Sequence, residues 1–158
     1  MKAKKEKFKM PLKGEVKIEL RDKDGKLKET RKVKNTFMAA GDAHVADQLS
    51  DQAEAQMGWM SVGTSPDAKT TADTALNSEI DRNALAAGYP ELGSGGADND
   101  VKYKATLSAG DGSGDLTEAA IFNSSGAGTM LCGSTFSVIN KGASDTLTIT
   151  WTVTCGAS

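Results

Sequence analysis

The chain has 158 residues, 19 Lys+Arg against 21 Asp+Glu for a formal net charge of −2, two cysteines and one histidine. That length fits a single domain; the cysteines are too few for a disulfide scaffold, and a lone His44 without a paired thiol argues against a transition-metal site. No apolar run approaches the roughly eighteen residues a membrane-crossing helix needs.

The near-neutral total conceals a division. Residues 1–35 hold 14 of the basic and 6 of the acidic residues, a net of +8, and the remaining 123 carry −10. A chain so divided can attract copies of itself or lay a basic arm on an acidic neighbour, which suits an assembly component better than a catalyst. Residues 1–11 are that arm. Lys2, Lys4, Lys5, Lys7 and Lys9, with Lys13 just beyond Pro11, are its candidate partner-binding residues. The start is basic like a signal-peptide n-region, but no apolar stretch follows, so a secretory signal is not expected.

Residues 12–155 are expected to form one β-rich domain. Over 14–35, Val16, Ile18 and Leu20 alternate with Glu15, Lys17 and Glu19, and Asp24-Gly25 supplies a tight turn before 26–34 returns. Such a charged two-stranded ribbon is marginal alone and must lean on the body or on another subunit. The spacing of Val45, Leu49, Ala53 and Met57 predicts a helix over 42–57, with Asp42 as N-cap and Gly41 and Gly58 as brackets. A short apolar strand over 59–64 and a polar loop over 65–73 follow. Leu76, Ile80 and Leu85 suggest a second, weaker helix over 74–87, and the glycines and acids of 93–100 read as loop.

The last sixty residues alternate like strands throughout, divided by glycine-rich turns. Leu147, Ile149, Trp151 and Val153 against Thr146, Thr148, Thr150, Thr152 and Thr154 is the cleanest case. The expected fold is therefore all-β with one main helix. It is a β-sandwich or jelly-roll-like domain, with strands over 59–155, preceded by the charged ribbon and the basic arm.

Three runs carry a resemblance. They are Leu116-Thr117-Glu118-Ala119-Ala120-Ile121-Phe122-Asn123, Gly128-Thr129-Met130-Leu131-Cys132, and 139–154 with its Asn140-Lys141-Gly142 turn and threonine-rich strand. With Val33-Lys34-Asn35, Met60-Ser61-Val62-Gly63-Thr64 and 74–82 upstream, they resemble small virion proteins of tailed bacteriophages over about 12–153. The resemblance implies a structural role on the phage particle, made in the host cytoplasm. Its first form is a capsid decoration or cement protein that binds and stabilises the lattice of the major capsid protein. Its alternative is a tail-fibre, baseplate or neck-associated protein. Local threefold positions of a capsid lattice suggest a homotrimer.

Candidate chemistry is sparse. Asp22-Lys23-Asp24-Gly25 resembles the start of a calcium loop, but the bidentate glutamate it needs is missing, and a hairpin turn is the better reading. The acids around Gly112 and over 98–100 suit solvated loops. Glu118, alone in an apolar strand, has no second acid, base or nucleophile at a recognisable spacing. It is expected to be structural, bonded to a loop backbone or making a polar contact with a neighbouring subunit. His44 is expected at the helix surface or partly buried. No catalytic residue, cofactor or metal site is assigned, and a glycan hydrolase with paired carboxylates is set aside because no acidic pair stands out. Docking of the arm on an acidic protein is favoured over nucleic acid, since Phe8 is its one aromatic. If 140–144 closes a simple hairpin, Cys132 and Cys155 lie three residues out of register, roughly 10 Å apart. A disulfide tolerates about 7 Å between Cα atoms, so Cys132 is expected as a buried thiol and Cys155 as a candidate intersubunit partner.

Overall fold

The computed structural model describes residues 11–51, 53–93 and 99–156. The elements run β1 (Leu12–Arg21), β2 (Leu27–Lys34), β3 (Thr36–Phe37), α1 (Ala39–Ser50), β4 (Trp59–Gly63), β5 (Glu79–Ala84), β6 (Glu91–Leu92), β7 (Asp100–Leu107), β8 (Gly114–Phe122), β9 (Met130–Lys141) and β10 (Thr146–Cys155). They build two five-stranded antiparallel sheets. Sheet A has the order β2-β1-β10-β7-β6 and sheet B the order β3-β9-β8-β4-β5. The expected all-β sandwich with one helix is therefore the observed class.

Alternation places the core. Val16, Ile18 and Leu20 of β1 and Leu147, Ile149, Trp151 and Val153 of β10 face Met60, Val62, Ala119 and Ile121 of sheet B, all 4% exposed or less. Burying side chains of this size stabilises by about 1.5–3 kcal/mol each. β1 lies between β2 and β10, so the ribbon is an integral part of sheet A and not a preface to the sandwich. Its turn forms as expected: Gly25 takes φ 79, and Asp22 Oδ1 accepts the N–H groups of Asp24 and Lys26, each at 2.9 Å. That carboxylate serves the hairpin, as the composition of the turn implied.

Three expectations are corrected. The helix spans Ala39–Ser50 and not 42–57; its N-cap is Met38, without a side-chain cap, and Asp42 sits in the first turn. Gly41, expected as a bracket, is inside the helix because the backbone of α1 presses on β9 there. A Cβ on Gly41 would lie 2.1 Å from the Leu131 carbonyl oxygen. The helix ends where Asp51 turns left-handed (φ 53), so the expected stripe breaks up and Leu49 is 80% exposed. The second helix over 74–87 is absent. Residues 79–84 pair with β4 as an edge strand, because β4 offers them an unpaired ladder. Finally, β9 and β10 are not a hairpin. They lie in different sheets, and the 142–145 turn arches across the sandwich. Cys132 consequently faces Ile121 and Phe37, Cys155 faces Leu12, and both thiols are free.

Candidate interaction face and buried polar sites

The outer surface of sheet A follows from register. One cross-strand row reads Lys34, Glu15, Thr152, Lys102, Glu91, and the next reads Lys32, Lys17, Thr150, Lys104. The second row holds three lysines and no acid over about 14 Å. The five outward threonines of β10 form a central stripe between lysine-bearing strands. The expected Lys13 opens this face at the start of β1, opposite Thr154, whereas Lys2, Lys4, Lys5, Lys7 and Lys9 lie outside the described residues. Pairs such as Lys17–Glu19 at 3.2 Å and Lys32–Glu15 at 3.6 Å are solvent-exposed and contribute little to stability.

Charge is divided in space as it is in sequence. Among the described residues, sheet A with its β1–β2 turn carries 11 basic and 7 acidic residues, a net of +4. Everything else carries 3 basic and 12 acidic residues, a net of −9. Those three basic groups are committed internally. Lys69 pairs with Glu118, Arg82 pairs with Glu79 while stacking 3.7 Å from the Phe122 ring centroid, and Lys141 is buried with its ammonium donating to the Ser108 carbonyl at 2.9 Å.

Glu118 lies on the outer side of sheet B, beneath the 64–78 loop, and is fully buried. Its carboxylate accepts Lys69 Nζ at 2.5 Å and the N–H groups of Ser78 (2.8 Å), Asn77 (3.2 Å) and Ser65 (3.3 Å). These bonds fasten the loop over β8, and a register shift between Leu116 and Glu118 accommodates it. Gly63 leaves the space: a Cβ there would come within 2.4 Å of Glu118 Oε1. The expected contact with a neighbouring subunit is corrected accordingly, since both oxygens are engaged within the chain. The alternative, a glutamate bonded to a loop backbone, is what the structure contains.

His44 is buried, deeper than expected, with Nδ1 3.0 Å from Glu54 Oε2. The other Glu54 oxygen accepts the Thr129 hydroxyl and, at 3.0 Å, the Asn123 amide. The Thr129 hydrogen bond, then that of His44, holds the Glu54 carboxyl below the usual carboxylate range. This cluster ties the chain leaving α1 to the β8–β9 turn. At the far end of the sandwich, Lys28 Nζ lies 2.6 Å from Asp145, and that hydrogen bond lowers the Asp145 pKa. Desolvation lowers the pKa of Lys141 nearby.

Two of the hollows that the described residues border lie beside the basic face and beside His44. One of about 430 Å³ is bordered by Lys13, Gly14, Lys34, Asn35, Phe37 and Thr152 at the edge of the basic face. The other, about 300 Å³, lies between α1 and the end of sheet A, with His44, Leu49, Met57, Tyr103 and Cys155 on its walls. Burial pushes the Tyr103 hydroxyl up to about 12 and raises the Cys155 thiol. That environment opposes nucleophilic activation, which needs a depressed thiol pKa.

Sequence reasoning missed Lys69 and Glu54, because each sits in irregular chain where no period marks its partner. Lys102 and Lys104 were legible as outward residues of a strand. Their alignment with Lys17 and Lys32 was not, since it depends on which strands pair. None of the protein-family models, curated proteins or solved structures compared with the chain matches it.

Proposed function

We propose that this chain is a non-catalytic structural protein of a tailed-bacteriophage particle, a homo-oligomeric decoration protein that docks on the major capsid lattice and stabilises it. The observation that carries this reading is the gathering of basic charge on one sheet face, contiguous in sequence with the lysine-rich residues 1–11. A β face of lysines and threonines offers long-range attraction and many hydroxyl contacts to an acidic protein surface. The internally bonded carboxylates support the same view. Glu118, Glu54 and Asp145 each accept several hydrogen bonds that fix loops, which suits a rigid building block. The likeness of 12–153 to small phage virion proteins supplies the setting, with synthesis in the host cytoplasm and residence on the virion.

In this reading Lys2, Lys4, Lys5, Lys7, Lys9 and Lys13 contact the lattice subunit beneath. Antibody-gold labelling of intact particles tests it. Gold spread over the head is the expected result. Gold confined to the tail or neck would replace decoration by an appendage role, and particles free of gold would overturn the virion assignment.

A further inference from the structure

We infer that copies of this chain associate head to tail, the lysine–threonine face of sheet A of one copy docking on the acidic outer side of sheet B of the next. The partner is argued from charge complementarity within a single molecule. The two sheets are packed back to back, so their outer faces point in opposite directions. On one, Lys13, Lys17, Lys32, Lys34, Lys102 and Lys104 outnumber Glu15, Glu19, Glu91 and Asp100. On the other, Asp67 and Asp73 lie on the 64–78 loop, while Glu79 of β5 and Arg82 balance each other and Lys69 is closed off beneath the loop, so the side is negative. The total of −2 leaves little net repulsion between whole copies, while the facing surfaces attract.

Such a contact is heterologous: two different patches meet, as in cyclic oligomers and in open stacks, and each copy keeps its other patch free for a further partner. It rests on no apolar anchor, so its affinity is modest and governed by salt. The inference does not depend on the virion assignment, because it concerns the purified protein alone.

Sedimentation velocity of the full chain tests it at ionic strengths of about 0.01 M and about 1 M, where charges are screened over ~30 Å and ~3 Å. The wild type should form concentration-dependent oligomers at low salt and sediment as a monomer at high salt. A basic-face variant, K32E/K102E/K104E, and an acidic-side variant, D67K/E79K, should each associate on the order of tenfold more weakly on their own. Mixed in equal amounts, they should associate again, because each then offers the other a complementary face. A wild type that is monomeric at both ionic strengths overturns the inference, as does an oligomer indifferent to salt. So does a chain that stays monomeric at low salt yet binds a short DNA duplex, which would assign the basic face to nucleic acid.

Discussion

Glu118 and Lys69 set the largest single-residue effect, because a buried carboxylate without its ammonium is far worse than no charge at all. Replacing Lys69 by Met leaves Glu118 with backbone donors only, and an uncompensated buried charge costs about 3–5 kcal/mol. Urea unfolding should record that loss for K69M, and a smaller loss for K69M/E118Q, in which both charges are gone. Equal losses would mean that the pair does not act as a unit. Glu54 makes the matching prediction for pH. Its folded-state pKa is depressed, chiefly by the Thr129 hydroxyl, so its contribution is present above the ordinary carboxylate range and lost as pH falls through the folded value. The melting temperature of E54Q should therefore start lower at about pH 6 and decline less toward about pH 3 than that of the wild type. Parallel declines would exclude Glu54 from the acid response. At this scale the sequence revealed the oddity of Glu118 but not its partner. A carboxylate inside an apolar strand must be satisfied by something. The something is a lysine 49 positions away in a loop without periodicity.

α1 shows how one backbone contact outweighs local preference. Alanine is the better helix former by about 1 kcal/mol, so propensity alone says that G41A should stabilise. The Leu131 carbonyl, 2.1 Å from where the new methyl would sit, says the opposite: the helix must move off β9, and overpacking of this kind costs about 1–3 kcal/mol. Thermal melts followed by circular dichroism should give a lower midpoint for G41A. A raised midpoint would mean that the α1–β9 contact is looser than described. The same contact explains why the helix was misplaced in the sequence reading, since a glycine in a helix is indistinguishable there from a glycine before one. Strands with strict alternation, above all β1, β7 and β10, were legible because their polar and apolar faces differ. β5 was not: Ile80 and Leu85 fit a helical period, and only the free edge of β4 decides for a strand. The arch from β9 to β10 escaped for a related reason. A short glycine-containing turn between two strands suits a hairpin and a crossover equally, and the choice is made by which sheet each apolar face covers.

For the whole molecule, the uneven charge of the chain becomes a two-sided body because β1, β2 and the turn between them carry seven of the eleven lysines among the described residues, and pairing sets the two strands on the same sheet as Lys102 and Lys104 of β7. Residues 1–10 add five lysines and one glutamate to that side of the balance, a net of +4. If docking on a particle is electrostatic, the arm and the face act through one field, and their effects should respond to salt together. Deleting residues 1–10 should lower occupancy on purified heads and flatten its dependence on ionic strength, because fewer charges remain to be screened. Raising the salt from about 0.05 to about 0.2 M should in turn reduce occupancy of the full chain toward that of the truncated one. Co-sedimentation of labelled protein with heads lacking it measures both. Unchanged occupancy after truncation would remove the arm from the interface. A truncated protein that binds weakly but keeps the full salt dependence would place the field in the sheet A face alone. The self-association series separates this from contacts between copies, since it is read without any particle present. An arm that acts on the lattice should alter head occupancy while leaving head-to-tail association of the purified chain nearly as it was.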